Sequence, residues 1–318
     1  MIKRLQNRIS ESRLALPVTA IYAACVWMAA GLIHQQWWMQ FGCFVLSTYL
    51  MVELNNSNAL IRIYSRMVSC SFLVVSASAV FLFGSLQGAV IQLTCIGTLS
   101  FLFKCYQDRK ASGLTFGAFF CMGLASMMDI QVLCYLPFVW LLMALYIQSL
   151  SWRTFGASII GVLVPYWFML PFALFRQQQE RYLDHFAGLF RYGPCCHFGD
   201  ISEQQWLTLA FVLLIGGIGA AHYLRSSYKD KIRIRQLYGC FIILGGVTLF
   251  FFILQPQKYE LLIHMLIINA TPLIAHYIAL TNTRLTNIVF MVITAMALLL
   301  TGYNLLTPFL AAGNETFF

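Results

Sequence analysis

The chain has 318 residues, of which 60% are hydrophobic and 10% are charged. So few charged residues cannot cover the surface of a water-soluble domain of this length, and the composition therefore excludes an ordinary soluble protein. The formal net charge of +9 results from 20 basic and 11 acidic residues, and its meaning depends on where those residues lie along the chain.

Apolar stretches long enough to cross a bilayer follow one another along the chain. A hydrocarbon core of about 30 Å needs roughly 20 apolar residues per helix. Eleven stretches of suitable length end at charged or turn-forming residues. We therefore predict an all-α fold, a polytopic transmembrane bundle that forms a single integral-membrane domain over residues 1–318. The predicted spans are Leu14–Ile33, Trp37–Leu54, Met67–Gly84, Leu86–Phe103, Ser112–Met128, Gln131–Ser149, Phe155–Phe175, Trp206–Leu224, Leu237–Leu254, Leu261–Leu280 and Leu285–Asn304.

Positive charge is concentrated on one side of this arrangement. With the N-terminus inside, the segments assigned to the inner side carry 16 of the 20 Lys and Arg residues but only 4 of the 11 acids. This bias follows the positive-inside rule and predicts an inner N-terminus and an outer C-terminus. It also explains the net charge without nucleic-acid binding. At the tight hairpins 84–88 and 128–130, a single re-entrant unit in place of two spans would reverse the orientation of everything downstream.

No pattern of metal-binding or cofactor-binding residues stands out. Seven of the ten cysteines lie within predicted spans, where we expect them to pack as small apolar side chains. The run Cys195-Cys196-His197 lacks the separated ligand pairs of a zinc site. The sequence therefore predicts neither a metal nor a cofactor.

The longest connection between predicted spans is the outer segment 176–205. Long loops in compact proteins are usually functional or disordered, and the first half of this one has apolar residues at helical spacing, which predicts an amphipathic helix on the outer leaflet. His185 lies one turn after Arg181, so their donors can converge on a phosphate or diphosphate group. In the alternative, Arg181 pairs with Asp184 and the other charges are solvated. The candidates for head-group binding are Arg176, Arg181 and Arg191.

Polar residues also interrupt the apolar pattern at an inner turn. The run of Asn and Ser over residues 55–58 is typical of helix termination and capping. Glu53 at the end of a span needs a partner, and Arg62 or Arg66 across the turn can supply it. A structural salt bridge and a ligand site are the two interpretations of these three residues.

The tenth predicted span carries several polar side chains at membrane depth. Glu260, His264 and Thr271 share one helix face, whereas Asn269 and His276 share nearly the opposite one. Such groups face protein or water rather than lipid. They either form a proton path or make hydrogen bonds between helices.

Several short motifs lie along the chain: Glu53-Leu-Asn-Asn with Arg62, Ala125-Ser-Met-Met with Tyr135-Leu-Pro, Trp152-Arg153, and Gly161-Val-Leu-Val-Pro165-Tyr166. They resemble those of an uncharacterised family of polytopic inner-membrane proteins from Bacteroidota. The similarity covers most of the chain and implies a Gram-negative inner (cytoplasmic) membrane, with the outer segments facing the periplasm, but it implies no activity.

A basic periplasmic loop after several spans is also similar to that of the O-antigen polymerase and ligase class, which acts on polyprenyl-diphosphate-linked sugars. The residues that match its basic loop positions are Arg176, Arg181, His185 and Arg191. The related lipid-sugar-using glycosyltransferases have an acidic motif after the first helix, where this chain has His34-Gln35-Gln36.

Three functions follow as hypotheses. The first is the handling of lipid-linked envelope glycan intermediates at the periplasmic face, with His185 as the candidate general base. The second is a secondary transporter lined by the polar residues of the tenth span, and the third is a non-catalytic membrane partner or scaffold. The expected partners are the lipid bilayer, a lipid-linked glycan or anionic lipid, and other membrane proteins.

Overall fold

The computed structural model describes residues 4–175, 179–191 and 197–315, and in this part of the chain every regular element is a helix. Four short 3₁₀ helices accompany the α-helices, at Val80–Leu82, Ile130–Tyr135, Ser227–Lys229 and Pro256–Lys258. The α-helices are α1 (Leu5–Ser10), α2 (Ala15–Ala29), α3 (Trp38–Asn58), α4 (Met67–Ser78), α5 (Leu86–Lys104), α6 (Ser112–Met128), α7 (Leu136–Leu145), α8 (Trp152–Phe175), α9 (Gln179–Ala187), α10 (Glu203–Ser226), α11 (Ile232–Leu254), α12 (Tyr259–Leu280) and α13 (Arg284–Glu315).

Six helical segments of the described chain are long and apolar enough to cross a membrane. Large apolar side chains are exposed on several of them, as at Trp167, Phe168 and Leu299. Contiguous apolar surface of this kind is rare on soluble proteins but is normal where lipid replaces water. The six segments are Leu86–Lys104, Trp152–Pro171, Glu203–Lys229, Ile232–Leu254, Pro256–Leu280 and Arg284–Thr307.

The predicted all-α class is confirmed, and the six long helices are consistent with a helical membrane bundle. The other five predicted spans also contain helices, but four of these have only 10–17 residues and the fifth, α3, carries more polar residues. In the sixth predicted span the helix is a 3₁₀ segment followed by α7, and it ends at Leu145, four residues earlier than predicted. The count of eleven spans therefore stays a prediction.

The predicted single domain contains two compact units. Unit 1 consists of Met1–Leu86, Ile201–Asp230 and Leu266–Phe318. Its core includes α2, α3, α4, α10 and α13, and around Trp27 it is aromatic, with the Phe83 ring stacked at a centroid distance of 3.8 Å.

Unit 2 consists of Gln87–Asp200 and Lys231–Met265. Its tightest packing joins α6 to α8, and two glycines permit it. A Cβ atom on Gly123 would lie 2.8 Å from the Val162 carbonyl oxygen, and one on Gly161 would lie 2.7 Å from the Phe116 carbonyl oxygen. The two backbones therefore approach as closely as small residues allow.

A similar close approach joins α10 to α12 within unit 1. The small residues at positions 216–221 predict close helix packing, and the structure confirms it for Gly216 and Gly219. A Cβ atom on Gly219 would lie 2.5 Å from the Leu273 carbonyl carbon, and one on Gly216 would lie 3.2 Å from the Ala270 Cβ atom. A Cβ atom on Gly217 would meet nothing within 4 Å.

We expect Gly219→Leu to destabilise the protein by about 1–3 kcal/mol, because any larger side chain must force the two backbones apart. Gly217→Leu is the matched control and should have little effect. Thermal unfolding of both variants in detergent measures the difference, and equal midpoints would contradict the packing described for α10 and α12.

Candidate functional site

Unit 1 contains a cluster of ionisable side chains, hereafter the Asp230 cluster, that consists of the buried Asp230 and His276, the partly buried His222 and the exposed Arg62. The His276 Nε2 atom lies 3.0 Å from Asp230 Oδ2, and both side chains are almost fully buried, with 1% and 2% exposed. The ionised carboxylate only accepts hydrogen bonds, so His276 Nε2–H is the donor. A buried carboxylate is stable only when such partners compensate its lost hydration.

Helix packing and one turn bring His222, Asp230 and His276 together. The close approach of α10 and α12 places the His222 and Tyr223 rings beside His276, at centroid distances of 5.7 and 5.4 Å. The 3₁₀ turn Ser227–Lys229 follows α10 directly. It delivers Asp230 to the end of α12, with its N–H bonded to the Ser227 carbonyl at 3.0 Å.

Arg62 forms the exposed side of the Asp230 cluster. Its Nη1 atom lies 3.8 Å from Asp230 Oδ1 and donates to the Lys229 carbonyl at 3.4 Å. The Arg62 side chain is 38% exposed, so its guanidinium contacts both the buried carboxylate and the medium outside the protein. The arrangement can exchange a proton between His276 and Asp230, and its outer edge can attract an anion.

Two of the predicted site residues, Arg62 and His276, therefore belong to one cluster. Asp230 and His222 were not among the predicted site residues. A signal for Asp230 was present, because it is the single acid in the strongly basic stretch 225–235. His222 carries no comparable signal, since an isolated histidine within an apolar span is not distinctive.

The other polar residues of the tenth predicted span lie apart from the Asp230 cluster along α12. His264 is buried, with 5% exposed, and neither ring nitrogen has a hydrogen-bond partner. Glu260 is exposed and Asn269 is buried. Glu260 and His264 belong to unit 2, whereas Asn269 and His276 belong to unit 1.

The predicted partners of Glu53 have other contacts. Arg62 faces Asp230, and the Arg66 Cζ atom lies 6.0 Å from the Tyr64 ring centroid. Glu53 is partly buried on α3. Its predicted salt bridge stays a prediction.

The outer segment contains the predicted helix, as α9. Arg176 lies outside the described residues, as do Cys195 and Cys196, and the Arg181 side chain is likewise not part of the described structure. Arg191 donates to Asp184 at 3.0 Å, and both side chains are about two-thirds exposed. This guanidinium therefore already has a carboxylate partner, and the convergence of arginines on a head group stays a prediction.

His185 attaches α9 to the rest of unit 2. Its Nε2 atom lies 3.0 Å from the Ser126 carbonyl oxygen. A carbonyl cannot donate, so Nε2 carries the proton and only Nδ1 remains to act as a base. The Ser126 hydroxyl is 2.7 Å from the Tyr166 hydroxyl, and this contact joins two of the motifs noted in the sequence.

A second ion pair in unit 2 was not predicted. Lys258 Nζ donates to Asp129 Oδ2 at 2.8 Å, and the Asp129 side chain is 6% exposed. Asp129 also accepts from the Gln131 N–H at 3.0 Å and so caps the 3₁₀ helix that precedes α7. These contacts fix the hairpin at 128–130.

Unit 1 also contains a cavity of about 390 Å³ that opens to the surface. Its walls come from α1, α2, α4, α10, α12 and α13 and are almost wholly apolar. Residues that define its extent are Ile9, Ala15, Met67, Phe211, Ile278 and Ala297.

Comparison with family models, with curated proteins and with solved structures finds no match to this chain. The resemblance to the Bacteroidota family therefore stays a prediction. Among the described residues, no group of three His, Cys, Asp or Glu side chains is placed to hold a metal ion. Function is accordingly argued from the geometry of the Asp230 cluster and of the cavity.

We expect Asp230→Ala to destabilise the protein by about 3 kcal/mol, because it leaves the buried His276 N–H without its acceptor. Asp184→Ala removes a carboxylate from an exposed ion pair and should cost less than about 1 kcal/mol. Chemical unfolding of the two detergent-purified variants gives the comparison. An Asp230→Ala variant as stable as Asp184→Ala would contradict the importance of the buried pair.

Proposed function

We propose that this protein is an integral membrane protein that handles lipid-linked anionic intermediates of the cell envelope, such as polyprenyl-diphosphate-linked glycans. The observation that carries this proposal is the cavity in unit 1. Its volume falls within the range typical of ligand sites, about 300–1,000 Å³. Its apolar walls suit a hydrocarbon chain, and a polar solute would lose its hydration there without gaining partners.

The cavity also has an opening, which a lipid ligand requires. Val18, whose side chain is 62% exposed, forms part of its wall. A chain can therefore pass between the surrounding bilayer and the protein interior without unfolding a helix. An enclosed core void of similar volume would instead be a packing defect that destabilises the fold.

We expect Ala15→Trp to reduce the amount of lipid that co-purifies with the protein, because the indole would occupy the cavity at the start of α2. Ala20→Trp is the matched control, since Ala20 is exposed on the same helix and does not line the cavity. Mass spectrometry of lipid extracts from the purified proteins measures the difference.

Equal lipid content in the two tryptophan variants, with both folded, would refute lipid binding in the cavity. Loss of lipid in both would show that lipid is retained by the outer surface instead. The extracts also separate polyprenyl phosphates and diphosphates from phospholipids, so they test the proposed ligand class directly.

The proposal includes the topology derived from the sequence: eleven spans in the inner membrane, with the N-terminus inside. Contacts within each unit support it, because they join residues assigned to the same side. Asp129 and Lys258 are both assigned outside and are paired, whereas Arg62 and Asp230 are both assigned inside and face each other.

We expect a reporter fused after Lys110 to be active only in its cytoplasmic form, and one fused after Asp200 only in its periplasmic form. The positive-inside bias is the physical reason. Cytoplasmic activity after Asp200 would show that at least one predicted span between the two points does not cross the membrane.

A second candidate function, proton-coupled transport, is favoured by His264. Its span, Pro256–Leu280, is the most buried of the six. A buried imidazole without hydrogen-bond partners typically costs about 1–3 kcal/mol. A role in moving protons gives a reason to retain such a group.

We expect His264→Gln to fold and reach the membrane normally, because Gln has a similar size and retains hydrogen-bonding capacity. If His264 carries protons, the variant loses proton uptake into proteoliposomes, as followed by a pH-sensitive dye, whereas the exposed-site control His34→Gln keeps it. Unchanged proton uptake in His264→Gln would identify the histidine as a packing residue and would refute the transporter hypothesis.

A further inference from the structure

Charged residues lie next to the cavity in unit 1 at one end only. Three arginines are next in sequence to residues that line it: Arg8 beside Ile9, Arg13 beside Leu14, and Arg66 beside Met67. Within three positions of any lining residue, the only other Lys, Arg, Asp or Glu is Glu11. The three arginines do not line the cavity themselves, but they give a net positive charge to the part of the chain next to its end at Ile9, Leu14 and Met67, hereafter the rim. The residues that line the cavity are uncharged.

Helix ends reinforce this polarity. Arg66 is the N-cap residue of α4, and Arg13 immediately precedes Leu14, the N-cap residue of α2. The two helices pack against each other, and Thr19 near the start of α2 contacts Cys70 near the start of α4, so both N-termini lie at the same end of the cavity. A helix N-terminus carries partial positive charge and favours anions such as phosphate.

Hydrogen bonds between residues far apart in sequence hold α1 in place at the rim. The Gln6 side chain donates to the Ile278 carbonyl at 2.6 Å and to the Thr281 hydroxyl at 2.8 Å. The Gln6 N–H donates to Asn287 Oδ1 at 3.0 Å. Ile9 and Arg8 follow directly, so the rim is a built part of unit 1 rather than a loose N-terminal segment.

We infer that the cavity binds a membrane lipid with a phosphate-bearing head group, whose hydrocarbon chain fills the apolar part while Arg13 and Arg66 bind the phosphate. This inference rests on the proposed function and adds to it the position of the head group, which lies at the end of unit 1 that the sequence assigns to the inner side. Arginine suits this role because its guanidinium binds phosphate oxygens in a bidentate manner.

The test compares the double variant Arg13→Gln/Arg66→Gln with the control Arg109→Gln/Arg153→Gln. The control removes two exposed arginines of unit 2 that are also assigned to the inner side. Each purified protein is titrated with phosphatidylglycerol, undecaprenyl diphosphate or phosphatidylcholine, and native mass spectrometry measures the bound fraction.

We expect the Arg13/Arg66 double variant to bind phosphatidylglycerol and undecaprenyl diphosphate roughly 30-fold more weakly, since each basic side chain near a membrane surface contributes about 1 kcal/mol. Binding of zwitterionic phosphatidylcholine should weaken less, because its choline cation offsets the charge of its phosphate, and the control should behave as the unmodified protein does. Inorganic phosphate alone should not compete, because it lacks the chain.

Several outcomes would overturn the inference. Equal binding of phosphatidylglycerol by the double variant and the control would refute the head-group site. In that case, lipid loss in Ala15→Trp would still support lipid binding in the cavity. Competition by inorganic phosphate would indicate a phosphate site independent of lipid. If the double variant unfolds, Arg13→Lys/Arg66→Lys keeps the charge without the bidentate geometry, and it should show intermediate affinity; unchanged affinity would refute the bidentate role.

Discussion

The close approach of α10 to α12 at Gly216 and Gly219 is the contact on which the rest of unit 1 depends. In a membrane, helices gain little from burying apolar side chains against each other, so van der Waals contact between closely packed backbones contributes much of the association. This approach fixes the rotation of α10 against α12. The rotation in turn places His222 and Tyr223 beside His276 and leads the chain into the turn that carries Asp230. The contacts of the Asp230 cluster thus depend on the lack of side chains at Gly216 and Gly219.

Asp230 shows what a charge buried in an apolar unit requires. A carboxylate removed from water loses several kcal/mol of hydration, and only close donors compensate for the loss. Here His276 donates a hydrogen bond and the partly exposed Arg62 adds a positive charge. The same unit contains a cavity whose lining residues are uncharged, so a charge placed among them, away from the rim, would find no partner. Charge and apolar volume are therefore separated along the helices, as a molecule with a polar head and a long tail requires.

The sequence predicts the helices better than it predicts the site. A long apolar run by itself indicates a helix that avoids water, and each predicted span does contain a helix. Some predicted helix ends are wrong, because residues that are typical of caps lie inside the helix. Helix α3, for example, continues through the Asn-rich run because Asn55 bonds to the Ser65 carbonyl and Asn58 bonds back to Leu54. In the Asp230 cluster, Asp230 and His276 are 46 positions apart, and such pairing leaves no local pattern. The cavity could not be predicted from the sequence for another reason. Its walls are ordinary apolar residues, and a void depends on how they pack rather than on which residues they are.

The attachment of α1 has a consequence for the order in which the protein is built. Gln6 is made well before its partners Ile278, Thr281 and Asn287, which lie 272, 275 and 281 positions later in the chain. Helix α1 therefore cannot take its final position until α12 and the start of α13 have been made. The walls of the cavity that α1 and α13 contribute come together only when this contact forms.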